Sequence, residues 1–161
     1  MTAVQTIEKA LAANLLTSDL IKVPGIGASS VLIQKEERLL GRPLLPEHRR
    51  LLQRWNGIDL EVVRFYGCGE GTDEVLRLSA ARSEMVVGIE GCLEIGSDAA
   101  GFVYIQGSNG SVYELDSDSG DYEFVAVGID DFVGRLVFGS DAAQFAGDEW
   151  YLELKKAGMV G

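Results

Sequence analysis

The chain has 161 residues, 47% hydrophobic and 24% charged, enough apolar material for one buried core and a composition unlike that of a disordered segment. Its net charge of −11 falls wholly in residues 81–161, which hold fifteen Asp/Glu against four Lys/Arg, whereas residues 1–80 hold ten of each. Such a field repels phosphate backbones and anionic membrane surfaces, excludes nucleic acid and membrane as expected partners, and favours a basic protein, although solubility alone also accounts for it.

In chain order, Val4, Ile7, Leu11 and Leu15 recur at helical spacing and predict an amphipathic helix over 3–16. The opening MTAVQTIEKALAANLLTSDL carries Glu8, Asn14 and Asp19 and lacks the basic lead of a signal peptide. No apolar run approaches the roughly 18 residues of a membrane span, so the expected compartment is the cytosol. Residues 20–27 read as an extended stretch broken by Pro24 and its neighbouring glycines. Ser29 or Ser30 then caps a second helix reaching Leu40, with Leu32, Glu36 and Leu39 on neighbouring turns. Gly41 closes that helix, and Pro46 opens a third because its fixed φ suits a first turn. Leu51, Leu52 and Trp55 share one side of it, and Asn56-Gly57 ends it.

The pattern changes to strands after Gly57. Glu61–Tyr66 is rich in Val and aromatics, Val75–Leu78 forms a short second run, and residues 79–90 are open to two readings. In one, Ser79 caps a helical turn through Met85; in the other, Met85–Ile89 is a strand. Cys92–Ile95 leads into a turn at Gly96-Ser97-Asp98, and Phe102–Gln106 and Ser111–Leu115 flank Gly107-Ser108-Asn109-Gly110, whose Asn-Gly marks a hairpin. Asp116–Asp121 turns again into Tyr122–Val127. Short turns between successive strands make an antiparallel meander. Asp130 is expected to cap a helix with Phe132, Val133, Leu136 and Val137 inward, ended by Gly139, and a last helix runs from Asp148 to Ala157. The expected fold is α+β: one domain over 1–161, an antiparallel sheet of about five to six strands, and helices N-terminal and C-terminal to it. Its expected core includes Leu51, Trp55, Phe65, Ile95, Val103, Val112, Phe132 and Leu136.

The run Leu39 to Asp59, LLGRPLLPEHRRLLQRWNGID, resembles the opening signature of the SUKH superfamily, named for the yeast cell-wall regulators Smi and Knr and rich in bacterial toxin-immunity proteins. Leu93-Glu94-Ile95-Gly96-Ser97-Asp98, Gly101–Gln106, Gly110–Asp116 and Ile129–Leu136 resemble the strand and acidic-turn succession that follows in that family. The resemblance covers about residues 30–138. One position departs from the pattern: Gln106 stands where an acidic residue is common.

Motifs for chemistry are sparse. His48 is the one histidine, beside Arg49 and Arg50 at a helix start, and no Gly-x-Ser-x-Gly elbow or Cys-Gly-x-Cys pattern supplies a nucleophile, so it reads as a surface helix residue. Cys68 and Cys92 form no CxxC pair and read as reduced thiols in or near the core; with one histidine they make no zinc set. Gly25-Ile26-Gly27-Ala28-Ser29-Ser30 lacks the Gly-Lys-Ser/Thr of a phosphate loop and reads as a turn feeding an N-cap. In Asp116-Ser117-Asp118-Ser119-Gly120-Asp121 a calcium loop would need oxygen at position 5, glycine at 6 and glutamate at 12, where Gly120, Asp121 and Val127 stand. Glu90, Glu94 and Asp98 show no spacing that creates a shared carboxylate site, and Trp55 and Trp150 read as core.

No catalytic residue, cofactor or metal ligand is therefore expected, and the chain reads as a protein-binding module. The resemblance implies an immunity protein that neutralises a cognate toxin, such as a nuclease, by occlusion, or alternatively an intracellular scaffold or regulator of the Smi/Knr type. A small hydrolase or nucleotide-binding enzyme is the third reading. The expected partner is another protein, such as a basic toxin domain. The expected contact residues are Asp98, Asp116, Asp118 and Asp121, because turns project side chains into solvent.

Overall fold

In a computed structural model that describes residues 1–16, 27–69 and 88–161, six helices flank a six-stranded antiparallel sheet in sequence. The expected strand Val75–Leu78, most of the ambiguous stretch 79–90 and most of the extended stretch 20–27 lie outside the described residues. Helices α1 (Ala3–Ala12), α2 (Ser30–Leu40) and α3 (Pro46–Arg54) precede the sheet. Strands β1 (Ile58–Asp59), β2 (Arg64–Phe65), β3 (Leu93–Ser97), β4 (Phe102–Gln106), β5 (Val112–Asp116) and β6 (Tyr122–Ala126) are neighbours in sequence order, the expected meander. Helix α4 (Ile129–Asp131) continues as a π-helical stretch, Phe132–Val137, and α5 (Ala142–Ala146) and α6 (Asp148–Lys156) follow.

The expected strand Glu61–Tyr66 is shortened to β2. Glu61 and Val62 do not extend the chain; Glu61 has φ 72°, and Leu60 N–H donates to the Val63 carbonyl at 2.7 Å. Asp59 accepts the Glu61 N–H at 2.9 Å, so a local side-chain turn outcompetes the β-propensity of the run and leaves Arg64–Phe65 of it as strand, paired with β1 before the turn.

The sheet carries buried side chains on both faces, the smaller set on the face away from the helices. On one, Phe132 is the hub, with ring centroids 5.0 Å from Tyr104, 5.5 Å from Phe145 and 6.0 Å from Phe65. Leu51, Trp55, Ile95, Val112 and Leu136 join that core. The other face holds Cys92, Ile105 and Leu115, with Ile89 and Val103 packed against them. Strand alternation explains the exception among the expected core residues: Tyr104 takes the helix-facing side, so Val103 points to the smaller cluster and is half-buried.

Helix ends are joined by carboxylates from elsewhere in the chain. Glu47, in the first turn of α3, accepts the N–H groups of Ile129 at 2.7 Å and Asp130 at 3.2 Å, capping α4 across 82 residues of chain. A Cβ on Gly128 would lie 2.6 Å from the Glu47 carboxylate, so only glycine admits this approach. Asp130 does not cap its own helix as expected. Its Oδ1 accepts the Ala3 N–H at 2.8 Å at the start of α1, while its other oxygen lies 3.8 Å from Arg50 of α3. The residue at the N-cap is Gly128, and the far carboxylate of Glu47 serves where a local side chain would.

His48 is not a surface residue: it is fully buried. It falls on the α3 stripe with Leu51, Leu52 and Trp55, at spacings of three, four and seven, and that stripe faces the core. Burial foremost, and then the charge of Arg42, lower its pKa from 6.5 to about 4.

Two outcomes follow from these contacts. Glu47→Ala strands two N–H donors and is expected to cost about 2 kcal/mol, read as a lower urea midpoint with unchanged slope. Between pH 6.5 and 4 the unfolded chain binds a proton on His48 that the fold refuses, so stability falls with acidification across that window. The full effect is about 3 kcal/mol, and urea titrations at several pH values should show a flatter dependence in His48→Leu than in the native chain.

Candidate functional site

The β3–β4 and β5–β6 turns lie at the same end of the sheet and touch: Ser117 Oγ donates to the Gly101 carbonyl at 2.6 Å. This brings the four expected contact acids to one end of the meander, but it uses them differently. Asp98 is a framework residue. Its Oδ1 accepts the N–H groups of Ala100 at 2.9 Å and Phe102 at 3.1 Å, and its Oδ2 lies 3.0 Å from the Tyr104 hydroxyl. Asp116 is half-buried and organises its own turn, accepting from Asp118 N at 2.9 Å and Ser119 N at 3.4 Å. Asp118 and Asp121 are exposed.

Register adds two acids that the motif reading passed over. Glu114 of β5 pairs directly with Glu123 of β6. Once Asp116 faces Asp121 across the turn, counting back two positions on each strand sets this pair, so the signal was present in the hairpin spacing. Glu114 also lies 3.3 Å from the Tyr104 hydroxyl, which therefore stands between two carboxylates with a single proton to donate. Burial, with Asp98 and Glu114 alongside, holds the Tyr104 phenol well above its ordinary range. Burial foremost, with further contributions from Glu123 and Asp98, raises the Glu114 carboxyl, opposed by the Tyr104 hydrogen bond.

Glu114 and Glu123 open onto a cleft of about 320 Å³ between β6 and α5, whose lining includes Phe124, Asp141, Gln144 and Phe145. A shallower recess of about 230 Å³ beside it shares the two glutamates with Asp116 and Asp121. Arg135 borders the cleft, but its guanidinium already bridges Asp131 and Asp141 and donates to the Val125 carbonyl at 2.9 Å. Among the described residues, none of Asp98, Glu114, Asp116, Asp118, Asp121 and Glu123 forms an ion pair.

The other candidate groups have structural places. Glu94 accepts from the Tyr66 hydroxyl at 2.6 Å. Cys68 is buried, its backbone held at both ends by the Asn56 amide, and burial together with Glu36 pushes its thiol up to about 12, so it stays protonated at neutral pH. Gly27 approaches the end of α3 so closely that a Cβ would fall 1.7 Å from the Gln53 carbonyl oxygen, and Ala28 N–H donates to Leu52 O at 2.8 Å; this backbone packs on a helix end. Gln106 is fully buried, and its Nε2 donates to the Gly110 carbonyl at 3.4 Å; a neutral amide suits such a place better than a carboxylate would. Among the described residues no group of three or more His, Cys, Asp or Glu is placed to hold a metal ion, and no helix is long and apolar enough to cross a membrane. Compared with protein-family models and with curated proteins, the chain matches none.

The paired glutamates oppose folding. Like charges directly across strands are destabilising by up to about 1 kcal/mol, and Glu114 is partly desolvated as well. Glu114→Gln is therefore expected to raise stability by about 0.5 kcal/mol at pH 7. Its carboxyl is raised in the fold, so the native chain recovers that deficit as pH falls and Glu114 is protonated; urea midpoints at pH 7 and pH 4 should converge.

Proposed function

We propose that this chain is a protein-binding module of the SUKH kind that neutralises a basic partner, most simply a toxin domain, by occluding it. The observation that carries the reading is the gathering of six carboxylates at one end of the sheet with no ion pair among the described residues. An uncompensated acidic surface suits a partner that brings the cations, and it steers such a partner during approach. Turns hold Asp118 and Asp121 in solvent, while Asp98 and Asp116 keep those turns in shape. The mechanism is steric and electrostatic blocking of the partner's own phosphate-binding surface, with no bond made or broken. The burial of His48 and the protonated Cys68 withhold the base and the thiolate that the hydrolase alternative calls on.

The tagged chain, expressed in its native cell, is expected to retain a stoichiometric basic protein at low salt. With that protein in hand, replacing Asp98, Asp116, Asp118 and Asp121 by Asn should lower the association rate about tenfold at low ionic strength and flatten its salt dependence. Asn keeps an acceptor oxygen for each turn, so the unfolding midpoint should move little. Identical rates and salt slopes for both chains would reject steering by these turns.

A further inference from the structure

Among the described residues strand β6 ends the sheet, and its outward face is unusually apolar for an edge. Phe124 is 52% exposed, Tyr122 43% and the adjoining Val127 70%. Tyr113 of β5 props both rings edge-on, with centroids 6.1 Å from Tyr122 and 6.0 Å from Phe124. Edge strands that are meant to stay unpaired usually carry lysine, proline or an inward charge; Tyr122–Ala126 has no lysine or proline, and its one charge is Glu123. On the helix-facing side of the same edge lies the 320 Å³ cleft with Glu114 and Glu123 on its wall, since strand alternation sets these acids opposite to Tyr122 and Phe124. Apolar surface and unpaired negative charge thus meet at one edge.

Resting on the protein-binding reading, we propose that the β6 edge is the docking surface, and that it takes an extended basic segment of the partner, one Lys or Arg side chain of which enters the cleft between Glu114 and Glu123. The apolar stem of such a side chain matches Phe145 and its charged end the two carboxylates, while an apolar neighbour in the segment, alternating to the other face, meets Tyr122 and Phe124. The same charge argues against a second copy as the occupant. Two chains of net charge −11 meeting here would bring four uncompensated glutamates into one interface. The aspartates of the turns then steer, and the glutamate pair anchors.

The probe is the blocked peptide Lys-Val-Lys-Val-Lys, titrated into the isotope-labelled chain while backbone amide signals are followed, with Glu-Val-Glu-Val-Glu as the control. Saturable shifts centred on Phe124, Val125 and Gln144 with the lysine peptide alone are expected. The Glu114→Gln/Glu123→Gln chain should bind it about tenfold more weakly, and Phe124→Ala several-fold more weakly, whereas the fourfold Asn chain should lose less. Both glutamine changes are expected to leave the chain folded, so lost binding reports the cleft. Shifts confined to the turns and abolished by the fourfold Asn chain would overturn the cleft while leaving protein binding standing. Absence of any saturable shift would also overturn the cleft, with the protein-binding reading then judged by capture of its partner. A dimer in sedimentation whose signals differ from the monomer's at Tyr122–Ala126 would give the edge to a second copy and overturn the proposal.

Discussion

Glu47 belongs to α3, yet its carboxylate closes the N-terminus of α4, and Asp130 of α4 in turn closes the N-terminus of α1. Each helix start presents N–H groups with no partner inside the helix, together with the positive end of its dipole. Supplying a carboxylate from another helix satisfies those groups and fixes the helices to each other at the same time. Arg50, 3.8 Å from Asp130, completes the loop back to α3. The core depends on this clamp, because Phe132 can serve as the hub between Phe65, Tyr104 and Phe145 only if α4 is held in register against α1 and α3.

The opposite end of the molecule follows the contrary logic. At the starts of α1 and α4 the carboxylates of Asp130 and Glu47 each meet N–H donors; across β5 and β6 two glutamates face each other, and among the described residues neither forms an ion pair. Arg135, which could have compensated them, is held by Asp131, Asp141 and the Val125 carbonyl. An arrangement that lowers folding stability is accommodated because the clamped helices and the two-faced sheet supply enough to tolerate it. Binding surfaces are commonly built this way, with the unfavourable charge relieved when the partner arrives.

Much of the architecture is legible from local signals. Ser29 caps α2, Gly41 ends it in a left-handed turn, Pro46 opens α3, and Asn109-Gly110 joins β4 to β5, all from residues a few positions apart. What was hidden depends on partners far away in the chain. Nothing near Asp130 says that its side chain serves Ala3 instead of its own helix, and nothing near Glu61 weighs an Asp59 turn against a run of β-formers. His48 and the Glu114–Glu123 pair are different: both could have been found, the first by extending the α3 stripe back one turn, the second by counting out from the Asp116–Asp121 turn. The fold was thus more legible than the site, because site chemistry depends on which acids meet a donor and which do not.

The capping of α1 by Asp130 also bears on the order in which the chain assembles. The two residues are 127 apart, whereas each described strand pairs with its described neighbour in sequence. During synthesis α1 emerges well before α4, and through that interval it lacks the acceptor that completes its first turn. From β3 to β6 the meander can close one hairpin at a time, each step joining residues already near one another at small loop-closure cost. Docking of α1 waits until α4 has been made, and a helix made before the sheet is secured after it.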